Sequence, residues 1–99
     1  MRLTWARIAL EDRRAIYAYI EIDDPSAAVM TDERIEAAVG RLADFPDSGR
    51  PGRVAGTREL VIHRTPYVAA YQVTADMVRV LRVIHGARIW PDEAEFRER

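Results

Sequence analysis

The chain has 99 residues, 48% hydrophobic and 31% charged, a size and balance that suit one compact domain over residues 1–99 with a single core. Its 15 basic residues, all arginine, nearly cancel 16 acidic ones, and the net charge of -1 excludes the bulk attraction to nucleic acid that a strongly basic domain would have. Cysteine is absent, which excludes disulfides and thiolate metal sites, and no apolar run approaches the roughly 20 residues that span a bilayer, so a soluble, cytoplasmic protein is expected.

Arg2 to Trp5 reads as a short edge strand. From Ala6 to Ile22 the apolar residues Ile8, Ala15, Ile16, Tyr19 and Ile20 recur at helical spacing, with Arg7, Glu11, Arg14 and Glu21 on the wet face. Asp23-Asp24-Pro25 ends this helix and starts the next: Asp24 suits a cap for free amide groups and Pro25 suits the first helical position. The second helix is predicted to run to about Asp44, with Ala28, Ile35, Val39, Leu42 and Phe45 as its inner stripe and Gly40 as its weak point. The two helices thus form a hairpin. Residues 46–53 (PDSGRPGR) read as a surface loop.

From Arg58 to Arg88 the chain alternates apolar runs with short interruptions. Leu60–Ile62, Tyr67–Val73 and Met77–Ile84 are rich in β-branched and aromatic residues, and Thr65-Pro66 and Thr74-Ala75-Asp76 are too short for a crossover helix. Three consecutive antiparallel strands follow. The order is therefore β-α-α-β-β-β, an α+β fold with a helical hairpin packed on an antiparallel sheet. Residues 91–99 read as a charged C-terminal tail.

Four segments in this order resemble the small toxins of type II toxin-antitoxin modules, the RelE/ParE superfamily: ALEDRRAIYAYI at 9–20, LADFPDSGRPGRV at 42–54, GTRELVIHRTPYVAAYQV at 56–73 and VRVLRVIHGARIWP at 78–91. The resemblance covers Leu3 to Trp90 and implies a growth inhibitor neutralised by a cognate antitoxin, which would lay an amphipathic or extended segment across the helices and sheet. No cofactor is expected, nor a metal site, since His63 and His85 are the only histidines and no carboxylate accompanies either at ligand spacing. Two activities are implied on this one scaffold. ParE-like members poison DNA gyrase and have no known catalytic residues; RelE-like members cleave mRNA on the ribosome. Fold cannot choose between them.

Cleavage by the RNA 2'-hydroxyl needs a base, an acid and positive charge on the transition state. In RelE-like nucleases an arginine on the middle meander strand supplies that charge, and the matching position here is Val68. The family's lysines on the preceding strand fall near Glu59 and Val61, its C-terminal tyrosine near Ala94 or Phe96, and its second arginine at Arg88. Other nucleases of the superfamily use histidine and glutamate, which makes Glu59, His63 and His85 candidates together with Arg58, Arg64, Arg82 or Arg88; His85, Arg88, Arg82 and Arg58 form the expected catalytic set. Each has a plainer reading. A histidine at a strand end caps or packs there, and a mid-strand Arg82 needs a carboxylate, a backbone carbonyl or an open groove, with an ion pair to Glu59 the plainer reading. Tyr67 and Tyr71 suit core packing more than base stacking; Trp5 and Trp90 suit core or interface, with Trp90 the better partner contact. With Val68 in the arginine's place, ParE-like action on gyrase is slightly favoured over the RelE-like ribosome-dependent nuclease. A degenerate, non-toxic partner of an antitoxin is the third reading.

Overall fold

The computed structural model describes residues 1–90 and follows the predicted order of elements, with one strand added. Strand β1 (Arg2–Trp5) leads into helices α1 (Arg7–Glu21) and α2 (Pro25–Gly40), a 3-10 turn (Arg41–Ala43), and strands β2 (Arg50–Pro51), β3 (Arg58–Val61), β4 (Tyr67–Val73) and β5 (Met77–His85). The charged tail at 91–99 lies outside the described residues, as do the positions 94 and 96 considered for a tyrosine. The expected cap is present: the Ala27 N–H donates to Asp24 Oδ1 at 3.1 Å, and Pro25 occupies the first turn, where its missing N–H has no intrahelical partner to lose. At Gly40 the α-helix tightens into the 3-10 turn.

The sheet order is β1-β5-β4-β3-β2. The meander β3-β4-β5 is antiparallel, with Tyr71 opposite Arg58 and His85 opposite Tyr67. Strand β1 instead pairs parallel with β5, from Arg2 opposite Met77 to Trp5 opposite Val80, which makes the sheet mixed. The helical hairpin is long enough to carry the chain across for that parallel pairing. The loop expected at 46–53 contains a two-residue strand, β2, paired with β3 at Glu59 and Arg58.

Ala9, Ile35, Val39, Leu42, Ile62, Tyr71, Val78 and Val80 form the core between helices and sheet, all without solvent exposure. The other face is covered too: Val68, Ala70 and Ile84 pack with Trp90, and Val54 of the long loop closes over them. Strand β4 is therefore buried at every position from Tyr67 to Tyr71, as a central strand covered on both faces must be. Four expected core residues lie outside: Ile8 is 40% exposed, Tyr19 74% and Phe45 64%, and Ala15 is exposed as well. Trp90, expected to contact a partner, is buried on the far face instead.

Candidate functional site

The end of β5 and the turn after it carry the two exposed candidates, and the long loop holds them. Glu59, in mid-strand on β3, is only 1% exposed, and its carboxylate accepts from the Arg53 N–H at 3.0 Å and from Arg50 Nη2 at 3.5 Å. Arg53 Nε lies 3.3 Å from the same carboxylate. The far end of that guanidinium donates to the Arg88 carbonyl at 2.6 Å and the Gly86 carbonyl at 2.9 Å. One buried carboxylate thus orients an arginine fork that ties down the turn at 86–88. Gly86 is held on both sides, since its N–H also donates to the Pro66 carbonyl at 2.8 Å.

His85 closes β5. Its ring meets Tyr67 edge-on at 5.9 Å, and its Nδ1 accepts from the Ala87 N–H at 3.1 Å, an arrangement that leaves the proton of a neutral ring on Nε2. Both His85 and Arg88 are exposed. Burial raises the Tyr67 hydroxyl above its usual pKa, with a smaller push from Tyr19, so the phenol beside His85 stays neutral.

Arg82 does not pair with Glu59. The two lie in one row across the sheet, but Ala70 of β4 stands between them, which separates the strands by about 10 Å. Arg82 turns to Asp12 of α1: Nε donates to Oδ2 at 2.8 Å and Nη2 to Oδ1 at 3.0 Å, while the Val83 N–H donates to the same Oδ2 at 2.9 Å. β1 has ended at that level of β5, so Asp12 satisfies an edge amide that a continuing strand would have taken. Arg58 is likewise committed to the loop, donating to the Gly49 carbonyl at 2.7 Å and lying 3.6 Å from Asp47.

The four candidates do not converge. The Arg58 row and the His85 row are four residues apart on β4, about 13 Å along the strand, and Arg82 has its Nε and Nη2 engaged by Asp12. Only His85 and Arg88 stand together on an exposed surface. Glu59 and His63, which alternation would place on one face, are separated by the end of β3: Glu59 is interior and His63 lies in the exposed turn to β4. Asp12, Arg53, Arg34 and Arg41 carry important contacts or surface charge and were not among the sequence candidates. The first reads as wet helix face, and only the spacing of Arg34 and Arg41 around Ala37 and Ala38 was a usable signal.

A family model described as the ParE toxin of the type II toxin-antitoxin system parDE matches residues 3–90. Among curated proteins, the chain is 47% identical over 90 residues to Y4kP of Sinorhizobium fredii, which is named as a toxin, covering 91% of this chain and 93% of that one. It is 38% identical over 88 residues to toxin RelE2 of Caulobacter vibrioides, covering 89% and 98%. Among solved structures, it superposes with TM-score 0.79 and 31% identity on a chain of the chromosomal ParDE system of P. aeruginosa, over 86% of this chain and 95% of that one. The RelBE2 toxin-antitoxin complex of Mycobacterium tuberculosis gives TM-score 0.58 and 25% identity, over 85% and 95%.

Proposed function

Because the chain belongs to the ParE toxin family of type II toxin-antitoxin systems, we propose that it arrests growth by acting on DNA gyrase without catalysing a reaction, and that a cognate antitoxin protein holds it inactive. The observation that carries the choice of target is Val68. It is 4% exposed and packs with Ala70, Ile84 and Trp90, on the strand where a nuclease of this superfamily would present its transition-state arginine. An apolar cluster there offers no charge to a phosphorane. Arg82, the nearest arginine in the same face's rows, has its Nε and Nη2 engaged by Asp12 and supplies none either.

In this reading His85 and Arg88 contact the target, while Arg82 and Arg58 support the fold. The cytoplasm is the compartment where gyrase is met, and among the described residues no helix is long and apolar enough to cross a membrane. A second reading has one observation in its favour: His85 and Arg88 are exposed side by side, and a histidine with an arginine could serve ribosome-dependent mRNA cleavage.

The test is induction without antitoxin in a bacterial host, with pulse labelling of DNA and protein synthesis and a supercoiling assay on purified gyrase. DNA synthesis is expected to fail first, with double-strand breaks and lost supercoiling activity. Translation stopping first, with transcripts cut within codons, would replace gyrase by the ribosome; unimpaired growth with folded protein would leave only the antitoxin partnership.

A further inference from the structure

We propose that the groove between α2 and the β3–β4 turn binds the phosphate backbone of a nucleic-acid strand. It is lined by Arg34, Ala37, Ala38, Arg41, His63 and Arg64 and encloses about 180 Å³. Helical geometry builds one wall: positions 34, 37, 38 and 41 fall on one face of α2 and the turn that follows it. The backbones of Arg34 and Arg41 therefore stand about 10 Å apart along the axis, with two alanines between them that leave the space open. The β3–β4 turn supplies the opposite wall, and Arg34 Nη1 donates to the Arg64 carbonyl across the gap at 3.4 Å.

Arg64 has a φ of 63°, and it is the one non-glycine described residue with positive φ. A left-handed conformation at an arginine carries a cost that glycine would avoid, and such positions concentrate at ligand clamps. The turn is fixed in that shape by the Thr65 N–H and Oγ1, both donating to the Ile62 carbonyl, at 3.1 and 2.8 Å.

The charge is uncompensated. Among the described residues, no carboxylate lies within ion-pair distance of Arg34, Arg41, His63 or Arg64, a condition shared with the scattered Arg2, Arg14 and Arg79, whereas Arg7, Arg13, Arg50, Arg53, Arg58 and Arg82 each have one; the groove is where such groups cluster. Glu36, on the same helix, turns to Arg13 at 3.2 Å. No large apolar side chain lines the groove, so it lacks the anchor pocket on which a peptide would depend. A run of phosphates needs only cationic forks at intervals. The chain, with a net charge of -1, then binds nucleic acid locally and weakly, whichever enzyme or particle the toxin stops.

The experiment is fluorescence anisotropy of a labelled mixed-sequence DNA strand with full-length protein across a salt series. Arg64→Gly removes the charge and suits the positive φ, so loss of folding does not obscure the result; Arg34→Gln and Arg41→Gln complete the set, with Arg79→Gln on β5 as control. Each groove variant is expected to weaken binding several-fold at low salt and to lower the slope of log affinity against log salt by about one, while the control leaves both unchanged. No binding by the unaltered protein at low salt, or equal binding by the groove variants, overturns the proposal. So does a glutamate polymer of matched charge that binds as tightly and loses affinity with the same variants, since the groove would then take acidic peptide. Growth arrest is a separate readout, so the gyrase reading and this one can fail independently.

Discussion

The Asp12–Arg82 pair shows what a single buried charge demands of its surroundings. Side-chain exposure is 5% for Arg82 and 14% for Asp12, and the carboxylate satisfies a guanidinium and the Val83 N–H together. Asp12→Ala removes the carboxylate that engages Nε and Nη2 of Arg82 and is expected to cost about 3–5 kcal/mol in urea unfolding, whereas Asp12→Ala combined with Arg82→Met recovers much of the loss. A single variant within about 1 kcal/mol of the parent would falsify the assignment. Glu59→Ala is expected to cost less, about 2 kcal/mol, because Arg50 and Arg53 can turn to water; the Arg53 N–H loses its acceptor. Proteolysis after Arg88 should also accelerate in that variant as the Arg53 fork loses its orientation; an unchanged cleavage rate would separate Glu59 from the turn. That Arg82 needs a carboxylate was legible from its place among apolar neighbours. Which carboxylate was not, because Asp12 belongs by helical period to a polar face and meets β5 only where β1 stops.

At the scale of elements, the loop before β3 is fixed by a tyrosine from β4. Tyr71 has no exposure; its hydroxyl donates to the Pro46 carbonyl at 2.7 Å and accepts from the Gly49 N–H at 2.8 Å. A Cβ on Gly49 would lie 2.6 Å from that hydroxyl and 2.9 Å from the Glu59 carbonyl, so Gly49→Ala must displace either ring or strand and is expected to cost about 1–3 kcal/mol. Burial raises the Tyr71 pKa above its usual value, opposed by the Gly49 N–H. A raised folded-state pKa contributes stability fully present below the unfolded value of about 10, and it is lost as pH rises through the folded value. The parent's stability in chemical denaturation should therefore fall above about pH 10, and Tyr71→Phe should lose about 1–3 kcal/mol at neutral pH while flattening that alkaline decline. An equally steep decline in the variant would place the titration elsewhere. The helix boundaries and the run Tyr67–Val73 were legible because periodicity, Asp24-Pro25 and β-branched content are local signals. Strand β2 and the exposure of Phe45 were not, since two residues carry no period and the stripe ends where α2 tightens into a 3-10 turn.

For the whole molecule, the first strand and the last are joined. β1 meets β5 from Arg2 opposite Met77 onward, the Ala6 N–H donates to the Val80 carbonyl at 2.8 Å, and Leu3 and Trp5 pack on the main core, with Arg13 over the Trp5 ring at 4.9 Å. Deleting residues 2–5 is expected to remove stability comparable to that of a small domain, on the order of 5 kcal/mol, and to abolish the cooperative urea transition. A sharp transition near the parent midpoint would show β1 to be dispensable. The parallel pairing was not legible because strand period reports which residues are buried, not the direction of the neighbour. Its shortness has a further consequence. Beyond Trp5 the upper half of β5 would be an open template for another copy's backbone, and an unguarded apolar strand edge is where aggregation begins. Asp12 occupies that edge with a fixed negative charge, so an invading strand must first break a two-pronged ion pair, and self-association is disfavoured on that side at high concentration.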